Sequence, residues 1–130
     1  ISLTPPLVLI AISNASQSHV LIDSASFFTL NVLSDGQGAL SEHFARPELS
    51  SEEQFQAVRV RRGNRGVPWI EGCLAYLDCD VVDRVAQADH TLFIAQVEHS
   101  EISLESGRPL VFYKGDYWGL GSVVHSRQHR

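Results

Sequence analysis

The sequence predicts a mostly β fold with short helices, arranged as a β-barrel carrying helical insertions. Three observations predict it. "CLAYLDCDVV" alternates with a period of two, "LVLIAIS" is a continuous apolar and β-branched run, and two polar stretches between strand-like runs carry helix-capping spacings.

Taken in order, "LVLIAIS" (Leu7–Ser13) follows Pro5 and Pro6 and suits a central strand. In "SQSHVLIDSAS", Ser16 or Ser18 can cap a short helix carrying Val20, Leu21 and Ala25. "FFTLNVL" (Phe27–Leu33) is the next strand. Ser34 and Gln37 then have capping-box spacing ahead of Leu40 and Phe44, and Ser51 and Gln54 repeat it in "SSEEQFQ", so two short helices are expected. "RRGNRGVPWIEG" reads as a loop from its Gly and Pro content. In "CLAYLDCDVV", Cys73, Ala75, Leu77, Cys79 and Val81 form an expected buried face, with Tyr76, Asp78 and Asp80 on the wetter one. "HTLFIAQVEH" and "PLVFY" (Pro109–Tyr113) complete the strands, and "KGD" turns the chain back into "YWGLG".

The 130 residues, 44% hydrophobic and 19% charged, are expected to form one domain, residues 1–130. A net charge of -5 argues against non-specific nucleic-acid binding, and the basic run Arg59, Arg61, Arg62 and Arg65 reads as a solvated loop. No apolar stretch reaches the roughly 20 residues of a membrane-spanning helix. Without a signal-peptide pattern either, a cytoplasmic protein is expected. Cys73 and Cys79, six positions apart on one strand, would lie about 20 Å from each other. They are expected to be small core residues, with no disulfide and no shared metal. The chain has no methionine and opens on "ISLTPPL", as if its N-terminus were trimmed or lay outside this sequence.

No metal site is expected, because none of the six histidines (His19, His43, His90, His99, His125, His129) forms an HxH or HExxH arrangement. His125 and His129 sit in a polar tail and read as surface residues. There is no GxSxG nucleophile motif. "SNASQS" (Ser13, Asn14, Ser16, Ser18) has two readings. Its hydroxyls and the N–H groups of a helix start could donate to a phosphate, or it could be a helix cap with a solvated turn. Asp89 and His90, side by side in "QADHTLFIAQV", read as a turn former and a strand cap or as an acid–base dyad. On a strand, adjacent residues face opposite ways and would not bond to each other.

The blocks "SLTPPLVLIAISNASQSHVLI", "FFTLNVLSDGQGALSEHFA", "VPWIEGCLAYLDCDVVDRVAQADHTLFIAQV" and "RPLVFYKGDYWGLG" occur in the order and spacing of a known family. The chain resembles the flavin reductases with the FMN-binding split β-barrel fold, the reductase components of two-component flavin-dependent monooxygenases. The resemblance implies an NAD(P)H:flavin oxidoreductase that supplies reduced FMN or FAD to a partner monooxygenase, working with NADH or NADPH as a homodimer. It implies flavin contacts at Ser2, Asn14, Ser16, Ser18, Ser34, Gln37 and Phe44. It implies nicotinamide-side contacts at Asp89, His90, Tyr113 and Tyr117. No catalytic side chain is implied, because hydride passes between the cofactors and the protein aligns them. A 2′-phosphate, if NADPH is used, would take one of Arg59, Arg61, Arg62 or Arg65. Two departures accompany the resemblance: Ala88 replaces the glycine of the family's Gly-Asp-His motif, and the family's N-terminal segment, with its early barrel strands, is absent from this sequence. The alternative function is a non-catalytic split-barrel module that binds flavin or another ligand.

Overall fold

The computed structural model describes residues 1–63, 65–103 and 107–127. Its elements are β1 (Ser2–Leu3), β2 (Pro6–Ser13), α1 (Gln17–Ala25), β3 (Phe27–Val32), α2 (Gly38–Phe44), α3 (Ser51–Gln56), β4 (Val60–Arg62), β5 (Pro68–Ile70), β6 (Ala75–Gln87), β7 (His90–Ile102), β8 (Val111–Tyr113) and β9 (Asp116–Trp118). One antiparallel sheet runs β1-β2-β7-β6-β3, and β4–β5 and β8–β9 are separate hairpins. The apolar run at Leu7–Ser13 lies in β2, between β1 and β7 in the sheet. Val8, Ile10 and Ile12 pack on the core, while Leu9 and Ala11 on the other face are exposed.

The main core gathers Phe28, Cys79, Phe93 and Ala95, with Val8, Ile10, Ile12 and Ile22 packed on it. α1 contributes Ile22 to this core and leaves Val20 and Leu21 on the surface. A second core holds Trp69, Ile70, Cys73 and Tyr76 under Leu40, Phe44 and Phe55.

That second core overturns two expectations. The segment read as a loop contains the β4–β5 hairpin, with Arg61 paired to Trp69 across it. The hairpin covers the face of β6 that alternation marked as wet, so Tyr76 and Asp78 are buried. The Tyr76 hydroxyl and Asp78 Oδ1 have partners, which offsets the cost of burying them, whereas the buried Asp78 Oδ2 has none among the described residues. The Tyr76 hydroxyl donates to the Ile70 carbonyl at 2.5 Å. Asp78 Oδ1 accepts from Thr29 Oγ1 at 2.7 Å and Trp69 Nε1 at 3.1 Å. The Trp69 and Tyr76 rings stack with centroids 4.7 Å apart. Asp78 and the next residue, Cys79, are both buried because they point to opposite faces of β6, Asp78 toward Trp69 and Cys79 toward Phe28 and Phe93, and both faces are covered. Alternation predicted the strand; the hairpin packed on it decided which face is dry.

The helix caps also differ from the expected spacing. α3 is capped by Ser50, whose Oγ accepts from Glu53 N–H at 3.2 Å while the Glu53 carboxylate accepts from Ser50 N–H. Both registers of "SSEEQ" satisfy the motif, and the extended backbone of Ser50 selects the earlier one. Gln54, expected as the capping partner, instead donates to the Phe44 carbonyl at 3.1 Å and ties α3 to α2. Ser34 does not cap α2; Gln37 occupies that position without a side-chain cap.

The two cysteines are free and buried, but Cys73 precedes β6 and sits in the second core while Cys79 sits in the first. Burial raises the Cys73 thiol and pushes Cys79 up to about 11. Iodoacetamide near neutral pH is therefore expected to leave the native protein unmodified and to label both thiols only in denaturant, as read by mass. Labelling of the folded protein would contradict this packing.

Candidate functional site

β2 ends at the point where the β6–β7 turn crosses it, with Ser13 opposite His90 in the ladder. The loop that follows carries Asn14 and leads into α1. The Asn14 N–H donates to the Asp89 carbonyl at 2.9 Å, so this loop and the turn form one unit. Ser16 is the N-cap of α1. Its hydroxyl accepts from the His19 N–H at 3.2 Å and donates to the Ser13 carbonyl at 2.8 Å. Its one proton is therefore already used. The Ser18 hydroxyl makes no hydrogen bond among the described residues, and the first N–H groups of α1 lack intrahelical partners as at any helix start.

A cleft of about 450 Å³ opens beside this helix start, lined by Ser16, Ser18, Phe44, Arg46, Leu49 and Gln54. The α2–α3 loop positions Arg46 there. Its guanidinium has no carboxylate partner among the described residues. Phe44 is held edge-on by Phe55, with centroids 5.1 Å apart. A hydroxyl, a helix N-terminus and an unpaired guanidinium at one cleft make a donor set that fits a phosphate.

At the turn, Ala88 takes the left-handed backbone (φ 52°) that glycine adopts without strain. β7 begins only at His90, so Asp89 belongs to the turn. The expectation that the two side chains face opposite ways is corrected for this reason. His90 Nδ1 lies 2.9 Å from Asp89 Oδ1. Hydrogen bonding to His90 holds the exposed Asp89 carboxyl below its usual range. A carboxylate can only accept, so Nδ1 carries the proton, and Nε2 of neutral His90 is an acceptor on a half-exposed ring.

The remaining expected residues fall into separate places. Ser34, Gln37 and Tyr117 gather around the start of α2. The Gln37 side chain accepts from the Ser34 N–H at 2.9 Å and donates to the Glu71 carbonyl at 3.2 Å. The Tyr117 hydroxyl donates to Ser41 Oγ at 3.0 Å. Tyr113 is not with them. It packs against Trp118, whereas Tyr117 packs against Phe112, so the two tyrosines occupy opposite faces of the β8–β9 hairpin. Ser2 lies in edge strand β1 opposite Leu7. It is separated from the Asn14 loop by most of β2, about 20 Å.

Sequence reasoning missed Arg46, Thr91 and His19. Arg46 carries no motif of its own, and only the fold brings its loop against α1. Among the described residues no group of His, Cys, Asp and Glu could hold a metal ion, and no helix is long and apolar enough to cross a membrane. His125 is exposed; His129 lies outside the described residues.

Comparison with known proteins bears on this arrangement. The chain is 38% identical over 121 residues to the flavin-dependent monooxygenase reductase subunit HsaB of Mycobacterium tuberculosis, covering 92% of this chain and 63% of that protein. It therefore spans somewhat less than two thirds of that relative's length. A solved structure of nitrilotriacetate monooxygenase component B from Mycobacterium thermoresistibile is similar with a TM-score of 0.86 and 32% identity, over 98% of this chain and 72% of that one. The NADH:FAD oxidoreductase SgcE6 of Streptomyces globisporus, solved with NAD and FAD fragments, is similar with a TM-score of 0.87 and 28% identity, over 96% of this chain and 74% of that one. The fold is the split barrel that the resemblance implied. Residues 1–121 match the flavin reductase like domain, and the chain belongs to that family.

Proposed function

We propose that this protein is an NADH-dependent flavin reductase that passes reduced FMN or FAD to a partner monooxygenase. One observation carries the reading: the phosphate-suited cleft and the His90 turn are joined by the Asn14–Asp89 backbone hydrogen bond. Bound flavin would supply the hydride acceptor for the reaction. Ser18, Arg46 and the α1 N-terminus would hold its phosphate, with Phe44 beside them. His90 Nε2 would accept from a carboxamide N–H of the nicotinamide, with Asp89 keeping the proton on Nδ1. Neither residue needs to move a proton, since the protein's task is alignment.

NADH is preferred to NADPH because the basic run is largely engaged within the chain. Arg61 pairs with Glu101, Arg65 pairs with Asp80, and Arg62 donates to the Gly66 carbonyl. A homodimer accords with the exposed Ile102, Phe112 and Trp118. Two free thiols accord with the cytoplasm, where thiols stay reduced.

The test is NADH oxidation followed by absorbance with and without added FMN or FAD. A flavin-dependent rate is expected, and its absence in the full-length protein would refute the reductase in favour of a binding module. Within that assay, His90→Ala is expected to raise the KM for NADH about tenfold, the loss of one ordinary hydrogen bond. The flavin Kd should change little. Equal weakening of both ligands with a lower Tm would make His90 a structural strand cap instead.

A further inference from the structure

The Asn14 loop and the β6–β7 turn are also linked through side chains. Thr91 Oγ1 donates to Asn14 Oδ1 at 2.6 Å, and His19 Nε2 lies 3.1 Å from the same hydroxyl. The participants come from different elements: His19 from α1, Thr91 from β7, Asn14 from the loop after β2. Thr91 is 8% exposed, and the His19 ring lies against Phe93 with centroids 5.7 Å apart. The chain of bonds is thus anchored in the core at one end and reaches the surface at the other, where Asn14 is exposed.

Donor and acceptor counting sets its direction. A hydroxyl has one proton. Thr91 gives that proton to Asn14 Oδ1, so His19 Nε2 must donate to Thr91. The Asn14 carbonyl is therefore held inward. Its Nδ2, which makes no hydrogen bond among the described residues, is left as an outward donor next to Asp89 and the start of α1.

We propose that His19 and Thr91 are positioning residues that act through Asn14. They hold its amide as an oriented donor to the flavin and fix the flavin loop relative to the nicotinamide turn. This inference rests on the flavin-reductase reading. Neither residue touches the reactants. Their effect is geometric, because a small displacement between the two rings is costly in hydride transfer. The relay also explains why a buried threonine and a histidine packed on the core stand opposite an exposed asparagine, where apolar residues would otherwise fill the same space.

The test compares Thr91→Val, Thr91→Ser, Asn14→Ala and the Thr91→Val/Asn14→Ala double variant in the full-length protein. FMN affinity is measured by fluorescence and turnover by NADH oxidation. Thr91→Val keeps shape and removes the hydroxyl. It is expected to weaken FMN and lower kcat by about tenfold in total, a common size for coupled side chains. Thr91→Ser should restore both. In the Asn14→Ala background, Thr91→Val should cost less than about twofold, since the relay then has no end to hold. Wild-type kcat and FMN affinity in Thr91→Val would overturn the proposal. So would an undiminished loss in the Asn14→Ala background, and so would a loss that follows only Tm and is not rescued by serine. A wild-type protein with no flavin-dependent NADH oxidation refutes the underlying reading, and the relay's role with it. Normal wild-type turnover with an indifferent Thr91→Val refutes the relay alone.

Discussion

Phe93→Ala is expected to lower the free energy of unfolding by about 3–5 kcal/mol, the usual cost of deleting a fully buried aromatic ring. Phe93 is 0% exposed and stands among Phe28, Cys79 and Ala95 at the centre of the main core. Its surroundings cannot easily collapse onto a cavity, because β7 is paired on both sides along this stretch. Phe93 lies opposite Ile10 on β2 and Arg84 on β6. The His19 ring lies against one part of the phenyl group, and the Arg84 guanidinium lies 5.9 Å from its centroid. Arg84 in turn donates to Asp23 and Ser26, so losing the ring loosens the end of α1 as well. Urea unfolding of the variant checks this, and a loss below about 1 kcal/mol would mean that the core around Phe93 is loosely packed. Since domains are stable by only about 5–15 kcal/mol, the variant should also lose soluble yield.

The second large effect concerns ligand binding. Arg46→Gln is expected to weaken FMN by about 10- to 150-fold, the loss of a charge-assisted hydrogen bond worth about 1.5–3 kcal/mol. Riboflavin, which lacks the phosphate, should bind as to the wild type. Calorimetric titration of both ligands separates the outcomes, and equal loss on both would remove Arg46 from the phosphate site. Ser18→Ala should show the same selectivity more weakly, because its hydroxyl is unused in the folded chain. Ser16→Ala should behave differently. Its hydroxyl is committed to the His19 N–H and the Ser13 carbonyl, so the expected result is about 1 kcal/mol of lost stability without discrimination between FMN and riboflavin. On the proposed function, the two serines of one short motif would then divide the roles that their spacing left open.

Much of the strand content was legible because it rests on local chemistry. The apolar run at Leu7–Ser13 and the alternation through β6 follow from side-chain periodicity and need no distant partner. The helix start after β2 is legible for the same reason, but the sequence offered Ser16 or Ser18 as its cap and the structure selects Ser16. The β4–β5 hairpin was not legible, since two three-residue strands, VRR and PWI, are too short to carry a periodic signal and the Gly-rich stretch between them reads as loop. The burial of Asp78 followed from that hairpin, through Trp69 Nε1 and Thr29 Oγ1. At the site, Ser16, Ser18 and Phe44 share one cleft. Gln37 and Tyr117 meet at the start of α2. Tyr113 and Tyr117 face apart because neighbouring positions of a strand pair alternate in direction.

The adjacency of Asp89 and His90 shows where the division lies. By itself the sequence determined that an acid and a histidine stand at the entrance of a strand, that the chain is strand-rich, and that its ordered blocks place it among the flavin reductases. Those properties reside in residue order, hydrophobic period and turn chemistry, which act within a few residues. Only the tertiary structure decided that the strand begins one residue after Asp89, which allows its carboxylate to hold the His90 proton. Only the tertiary structure brought Arg46 to the α1 N-terminus and Thr91 between His19 and Asn14. These contacts join residues far apart in the chain, and their geometry comes from how the sheet, helix and loops pack.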